Sequence, residues 1–212
     1  MAFKRKINIL MISSSSILGG GTKHMFMLGK SLSDDFKVYY AIPMNKNFSR
    51  HLNSKNHLKI SERRLVLSDL IRLKNFIKVN SIDIIHSHGK GAGALARIAK
   101  IFVNKPLIHT FHGIHLKCHH WYKNIFYIFY ENLFGILDTS KVFVSKSEKK
   151  YAEASKIYLG NNSLIINNGV KNMPLKGSEY TQNFNCKAFN ISKIKVISVC
   201  RFVHQKNIQD II

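Results

Sequence analysis

The sequence predicts an α/β protein with a doubly wound parallel sheet. Along most of the chain, short and largely apolar runs alternate with segments whose apolar residues have helical spacing. Continuous apolar runs are typical of strands that are buried on both faces, as in a parallel sheet. The first run is followed, after four residues, by Gly19-Gly20-Gly21, a turn of the kind that connects a strand to a helix. Together these observations predict a Rossmann-like fold.

The elements follow one another as βα units. We predict strands where the chain is short, apolar and bounded by turn residues, at 7–14, 37–42, 82–86, 107–111, 141–144 and 164–166. We predict helices where apolar or small residues recur at helical spacing, at 24–32, 65–79, 91–102, 121–137 and 147–159. The polar segment 45–61 is expected to be loop-rich. Repeated βα units imply right-handed crossovers, and ligands then bind at the carboxyl ends of the strands.

The chain is expected to hold one complete domain and the start of another. Residues 1–170 are predicted to form the Rossmann-like N-terminal domain, and the polar segment 171–192 a linker. Residues 193–212 have the pattern of a first strand and a basic loop, which normally open a second α/β domain. Only six residues follow Lys206. We therefore expect the second domain to be truncated.

The composition indicates a negatively charged partner. Lys and Arg number 33 against 11 Asp and Glu, which gives a formal net charge of +22. A charge of this size attracts the chain to anionic surfaces. The candidate partners are nucleic acid, an anionic membrane face, and small molecules that carry phosphate.

Cysteine usage and hydropathy indicate the compartment. The three cysteines, Cys118, Cys186 and Cys200, are widely spaced and form no CxxC pair. A disulfide framework is therefore not expected, which fits a reducing compartment. The apolar start is too short for a signal peptide, and no run reaches the roughly 18 apolar residues of a membrane span. We expect a cytoplasmic protein, with peripheral attachment to the inner face of the cytoplasmic membrane as a further expectation.

The first candidate site is the glycine turn Gly19-Gly20-Gly21, followed by His24. Glycines let the backbone approach a ligand closely, and the first amides of the next helix are free to bind a phosphate. The spacing matches neither GxxxxGK[ST] nor GxGxxG. From spacing alone, a phosphate site and a plain tight turn are equally supported.

A second glycine segment, 89–94, does match GxGxxA after a strand. However, no acidic residue stands about 20 positions further on to bind a ribose. The pattern therefore favours small residues that allow close packing of a helix on the sheet, and it disfavours a phosphate-dependent reductase that uses this turn.

Histidines concentrate in the middle of the chain. His109, His112 and His115 cross a strand end and a glycine turn, so they need not converge on a metal ion, and HExxH is absent. We therefore expect no metal site. A single histidine acting on substrate is favoured instead, and His112, directly before Gly113, is best placed at the carboxyl edge of the sheet.

Two further segments are notable. Arg201 and Lys206 follow a strand-like run, where such a pair is able to neutralise a diphosphate, although a solvated basic loop is the alternative. Segment 121–137 is apolar and aromatic nearly all round. A helix in a membrane interface is one interpretation; we favour a core helix that covers the sheet, with part of one face in contact with lipid.

Five motifs follow one another along the chain. They are Gly19-Gly20-x-x-x-His24, Asp83-Ile84-Ile85-His86-Ser87-His88, His109-Thr110-Phe111-His112-Gly113, Val144-Ser145-Lys146-Ser147 with Asn167-Asn168-Gly169-Val170, and Arg201-Phe202-Val203-His204-Gln205-Lys206. Taken in this order, they resemble the pattern of glycosyltransferase family 4, whose fold is GT-B. Glu131 stands where that family often has a glutamate in its fourth helix.

The resemblance implies a retaining transferase that moves a sugar from a nucleotide-diphosphate sugar to a cell-envelope glycan or lipid-linked acceptor. It implies no metal and no cofactor. The amides near Gly20 would meet the donor diphosphate, and His112 would position the sugar. Arg201 and Lys206 would stabilise the leaving diphosphate. The substrate-binding set implied in this way is Gly19, Gly20, Gly21, His24 and Gly113.

The family's E-x7-E stretch would lie beyond residue 212, so we expect this chain alone to be incomplete and inactive. The alternative is a non-catalytic basic domain that binds an anionic membrane or RNA. RNA binding favours aromatic and basic residues interleaved on exposed strands. Here the aromatic residues cluster in one helix, so no nucleic-acid partner is expected.

Overall fold

The computed structural model describes residues 5–17, 19–44, 56–114, 116 and 120–169. The chain separates into two compact units, Met1–Gly169 and Val170–Ile212, of which the first contains all of the described residues. The predicted linker at 171–192 and the predicted strand at 193–212 lie outside the described part.

The first unit is built on a seven-stranded parallel sheet. The strand order is β3-β2-β1-β4-β5-β6-β7. The chain therefore winds outward from β1 in one direction, then returns to the other side of β1 with β4. The strands are β1 Ile7–Ser13, β2 Phe36–Ile42, β3 His57–Lys59, β4 Ile84–His88, β5 Leu107–Phe111, β6 Ser140–Phe143 and β7 Ser163–Ile165.

Among the described residues, five α-helices alternate with these strands. A 3₁₀ turn, Gly135–Leu137, extends the fourth helix. The strands β1 and β4 are parallel neighbours, but the chain continues from β1 toward one edge of the sheet and from β4 toward the other. Doubly wound folds bind ligands in the crevice that this reversal of strand order leaves beyond the carboxyl ends of the two strands. The helices are α1 Gly20–Ser31, α2 Leu67–Val79, α3 Lys90–Val103, α4 Trp121–Phe134 and α5 Lys146–Ala154.

Helices cover both faces of the sheet, as the strand β1 shows. Its alternate residues point to opposite faces, because the side-chain period of a strand is two. Leu10 and Ile12 pack in a core with Leu73 of α2 and Leu95 of α3. Ile9 and Met11 pack in a second core with Met25 and Phe26 of α1. A strand that is buried on both faces explains the continuous apolar run in the sequence.

The predicted fold class is confirmed, and the boundaries of the predicted elements shift by five residues at most, at the end of α5. The predicted third strand, 82–86, lies at Ile84–His88, so its last residue is His88. The short strand β3 was not predicted, because His57-Leu58-Lys59 lies in a polar, basic segment. It is an edge strand that pairs only with β2 among the described strands, and an edge strand needs no apolar run.

The expectation for helix α4 was partly wrong. We expected mainly a core helix, yet Glu131 is its only buried side chain. Most of its apolar side chains are exposed. Trp121 is 73% exposed, Phe126 71% and Phe129 63%. The exposed side chains of α4 therefore form an aromatic surface. The sequence pattern had predicted that most of these side chains would be buried.

Candidate functional site

The candidate site begins at the N-terminus of helix α1. Gly19 is the N-cap residue, and no side chain accepts a hydrogen bond there. The first turn also contains no acidic residue. A β-carbon added at Gly19 or Gly20 would meet no described atom within 4 Å. The first amides of the helix have no side-chain cap, and together with the helix dipole they favour an anion such as phosphate.

Gly21 brings this helix against His112. A β-carbon at Gly21 would lie 3.1 Å from Cγ of His112 and 3.2 Å from Cδ2. That distance is tighter than ordinary packing allows without a shift of the ring. The third glycine of the turn is therefore explained by close contact with the imidazole.

Three imidazoles meet at this point, and we call His24, His88 and His112 the histidine cluster. His24 lies in the second turn of α1, His88 ends β4, and His112 follows β5. The Nδ1 atom of His88 lies 3.0 Å from Nε2 of His112. The ring centroids of His24 and His112 lie 5.2 Å apart. Each side chain comes from a different element of the crevice.

A second row of polar side chains lies behind the cluster. His86 and Thr110 share a hydrogen bond of 2.8 Å between Nε2 and Oγ1. Ser87 Oγ and His109 Nδ1 share another of 2.8 Å. His86 packs on His88 with ring centroids 4.2 Å apart. These buried contacts fix the strand ends that carry His88 and His112.

Burial keeps the imidazoles neutral. Desolvation, with a smaller contribution from charge repulsion between neighbouring imidazoles, lowers the pKa of His112 to about 4 and that of His86 to about 3. Desolvation also lowers the pKa values of His24 and His88. At neutral pH each ring therefore has one N–H and one lone pair.

A carboxylate fixes the turn after His112. Gly113 has a φ of +114°, which favours glycine over any residue with a side chain. Its amide donates to Oε1 of Glu148, in the first turn of α5. Burial raises the pKa of Glu148, although hydrogen bonds from the amides of Gly113, Val144 and Ile114 oppose the rise. Glu148 therefore holds the turn that places His112.

The second glycine segment serves close packing, as predicted. Gly89 has a φ of +80° and is the N-cap residue of α3. A β-carbon at Gly91 would meet Oγ of Ser14, and one at Gly93 would lie 2.7 Å from the ring of His109. Side chains at these positions would push α3 away from the sheet.

An open groove lies beside the loop between β1 and α1, and we call it the basic groove. Its volume is about 670 Å³. The Arg63 amide donates to the carbonyl oxygen of Ser14 at 3.0 Å, and Glu62 accepts from Ser16. These contacts hold the arginine-bearing segment against the loop that follows β1. The polar lining is Ser16, Lys59, Ser61, Glu62, Arg63 and Arg64.

Glu131 belongs to a buried ion network with Arg97 and Asp138. Its Oε2 atom accepts from Nη2 of Arg97 at 2.8 Å, and Asp138 accepts from the same guanidinium at 2.9 and 2.7 Å. All three side chains are fully buried. Burial alone would lower the pKa of Arg97, but the hydrogen bonds and charges of Asp138 and Glu131 raise it. This ion network ties α4 to α3.

The structure brings most of the predicted site residues together. Gly19, Gly20, Gly21, His24, His112 and Gly113 all lie at the carboxyl edge of the sheet, around the histidine cluster. Their roles stay predictions. Arg201 and Lys206 lie outside the described residues.

Sequence reasoning placed His88 in a motif but assigned it no role, and it did not single out Glu148. The signal for His88 was present, because it ends an apolar run directly before Gly89. Glu148 offered no such signal, because its contact with Gly113 spans 35 positions.

The fold and this edge define a Rossmann-like α/β domain with a ligand crevice at the carboxyl ends of its central strands. The Glycosyltransferase Family 4 profile matches residues 18–171, which is more than half of the chain. The chain belongs to this family.

Solved structures share the fold. HepE of Anabaena, crystallised with UDP-glucose, superposes with a TM-score of 0.61 at 13% identity over 77% of this chain and 44% of that one. A glycosyltransferase of Rickettsia africae gives 0.55 at 16% identity over 78% and 44%. MurG of Acinetobacter baumannii gives 0.52 at 11% identity over 78% and 47%. The similarity extends to GT-B glycosyltransferases.

No curated protein matches the sequence. The chain spans 44% to 47% of the length of the three structures above. Among the described residues, no helix is long and apolar enough to cross a membrane.

Proposed function

We propose that this chain provides the acceptor-side domain and part of the donor site of a glycosyltransferase that uses a nucleotide-diphosphate sugar. The observation that carries the proposal is the uncapped N-terminus of α1 in contact with His112. Free helix amides bind phosphate groups, and an imidazole beside them is placed to contact the sugar. The structures of HepE with UDP-glucose and MnaA of S. aureus with UDP support a nucleotide-sugar ligand.

The histidine cluster defines what His112 offers the donor. We assign the proton between the two rings to Nδ1 of His88, because its buried Nε2 has no partner and orphaned acceptors are less rare than orphaned N–H groups. His112 then carries its own proton on Nδ1. That N–H is available to a sugar hydroxyl, so His112 acts as a neutral hydrogen-bond donor that orients the sugar.

The leaving diphosphate needs positive charge that strengthens its binding as the glycosidic bond breaks. The amides of α1 supply part of it. We propose that Arg201 and Lys206 supply the rest, as the family resemblance implies, and that transfer retains the anomeric configuration without a cofactor.

The basic groove supports an acceptor on this side of the site. It adjoins the loop between β1 and α1, and Lys59, Arg63 and Arg64 give it positive charge. We propose that it binds a cell-envelope glycan or a lipid-linked acceptor. A lipid-linked acceptor also requires the enzyme to reach a membrane, and the exposed aromatic side chains of α4 are suited to peripheral binding at the inner face of the cytoplasmic membrane.

The test is an NMR titration of the 212-residue chain with UDP, UDP-glucose, UDP-N-acetylglucosamine and inorganic phosphate. We expect shifts in the amides of Gly20 and Gly21 and in the ring of His112, and larger shifts with UDP-sugars than with phosphate. His112→Asn should weaken the response, whereas the exposed His120→Asn should leave it unchanged.

An absence of shifts at millimolar nucleotide sugar would contradict the proposal. Tight, salt-dependent binding of RNA in the same chain would instead support the alternative of a non-catalytic basic domain.

A further inference from the structure

We propose that the histidine cluster binds a divalent transition-metal ion of the zinc class, with one ring nitrogen from each of His24, His88 and His112. One nitrogen of each ring lies within 4.8 Å of the other two. The proposal goes beyond the proposed function and departs from the expectation of no metal. That expectation rested on His109, His112 and His115, whereas the fold assembles a different trio.

The first argument is an unpaired nitrogen atom of His24. Its Nδ1 atom is buried and has no hydrogen-bond partner among the described residues. Buried polar atoms are nearly always paired with protein or with ordered water. This nitrogen therefore lacks a partner, and a cation is a partner that accepts lone pairs from several rings together.

The second argument is the chemistry of the ligands. The trio contains no carboxylate, and neutral imidazole suits zinc, copper and nickel, whereas magnesium and calcium prefer oxygen ligands. The rings are available in this form, because burial lowers the pKa of each one. Three histidines with an open fourth position also form a known type of zinc site.

The third argument is the size of the rearrangement. Zinc–nitrogen bonds of about 2.0–2.1 Å in a tetrahedron place ligand atoms roughly 3.3–3.4 Å apart. His88 Nδ1 and His112 Nε2 are already 3.0 Å apart. The ligand nitrogen of His24 must therefore move toward the other two. The His24 side chain is only half-buried, so its ring has room to rotate. Binding also breaks the hydrogen bond between His88 and His112 and moves the proton of His88 from Nδ1 to Nε2, so both changes reduce the affinity.

The test uses the full chain after treatment with a chelator and measures Co²⁺ binding by visible absorption and Zn²⁺ binding by competition. We expect one ion per chain, with the intense visible bands of a four- or five-coordinate site, and displacement by Zn²⁺ but not by Mg²⁺. His24→Gln, His88→Gln and His112→Gln should each weaken binding by at least about tenfold, because each removes one ligand.

Matched variants separate the cluster from other metal ligands in the chain. His57→Gln and His120→Gln should leave the affinity unchanged. A variant with Cys118, Cys186 and Cys200 replaced by serine should also bind normally. Because a buried His88 variant is at risk of misfolding, ¹⁵N spectra of the unmodified protein provide a second measurement. Zn²⁺ should shift the ring nitrogens of His24, His88 and His112 and of no other histidine.

Three outcomes would overturn the proposal. They are failure to bind Co²⁺ at millimolar concentration, affinity that is insensitive to the three cluster variants, and loss of binding in the cysteine-free variant. None of these measurements uses a nucleotide sugar, so the result is independent of the proposed transferase function.

Discussion

Nδ1 of His88 lies 3.0 Å from Nε2 of His112 and joins the carboxyl ends of β4 and β5. His88 is buried, whereas His112 faces the crevice beside the glycine turn of α1. His88 therefore sets the orientation of the His112 ring, and in the tautomer proposed above it leaves the proton of His112 on Nδ1. In this respect His88 is a positioning residue for His112.

This contact predicts a graded effect of substitutions at His88. His88→Leu removes the donor and should weaken UDP-sugar binding by roughly threefold to tenfold, the equivalent of one hydrogen bond. His88→Asn keeps an N–H near the position of Nδ1 and should lose less. Titration calorimetry measures both, and the ¹⁵N shifts of the His112 ring report its tautomer. Equal affinity and an unchanged His112 tautomer in the leucine variant would contradict the positioning role.

The glycine turn offers a matched pair of variants. Gly21→Ala places a β-carbon 3.1 Å from Cγ of His112, whereas Gly20→Ala meets nothing within 4 Å. Both positions lie in the first turn of α1, so the change in helix propensity is similar. We expect Gly21→Ala to shift the ring signals of His112 in the free protein. Gly20→Ala should leave them in place, and identical spectra for the two variants would show that the ring does not pack on Gly21.

The neutral histidines predict a loss of stability in mild acid. In the unfolded chain these imidazoles titrate near pH 6.5, whereas the folded pKa is about 4 for His112 and about 3 for His86. Between those values the unfolded state binds more protons. Stability therefore rises with pH in this window, is fully present above about pH 6.5, and falls as the pH drops toward 4.

Urea unfolding at a series of pH values measures this dependence. His112→Phe should reduce its slope between pH 6.5 and 4, whatever its effect on absolute stability. The exposed His120→Phe is the control and should leave the slope unchanged. A wild-type midpoint that is flat across this window would show that the cluster accepts protons freely in the folded state.

The sequence predicted the sheet well because the signal for it is local. An apolar run such as residues 7–14 indicates a strand that is buried on both faces, and helices cover both faces of this sheet. The glycine turn and His112 were also visible, since each lies at the end of such a run. The cluster was not visible, because His24, His88 and His112 meet only through the strand order β1-β4-β5. The contact of Glu148 with Gly113 depends on the path of the chain in the same way.

Helix α4 shows the limit of periodicity most clearly. Its aromatic residues predicted a buried helix, yet the only buried side chain is the charged Glu131. Glu131 and Asp138 both accept hydrogen bonds from the buried Arg97, which holds the Glu131 side of the helix inward. Tyr127 and Ile128 pack partly against the core, whereas Phe126 and Phe129 remain exposed.

Breaking that network should cost much of the stability of the domain. Glu131→Gln keeps the shape of the side chain but removes one of two charges that balance a fully buried guanidinium. Loss of one partner of a buried ion pair costs about 3–5 kcal/mol. Thermal and urea unfolding should show the loss, whereas Glu153→Gln, on the exposed side of α5, should have little effect. A loss below about 1 kcal/mol at Glu131 would mean that water reaches Arg97.

The exposed aromatic side chains of α4 predict binding to an anionic membrane. Phe126 and Phe129 are 71% and 63% exposed, and the chain carries a formal charge of +22. Aromatic side chains partition into the lipid interface, and positive charge adds an attraction that salt weakens. Flotation with vesicles should therefore show binding to anionic lipid that declines steeply as salt rises, with little binding to neutral lipid.

Variants then separate the aromatic surface from the net charge. Phe126→Ser with Phe129→Ser should weaken vesicle binding without changing the charge of the chain. Val79→Ser is the matched control, because this apolar residue is 82% exposed at the end of α2, far along the chain from α4. If the double variant binds vesicles as the wild type does, charge alone accounts for the attraction and α4 does not enter the interface. If neither anionic nor neutral vesicles bind the wild type, the membrane is not a partner of this domain.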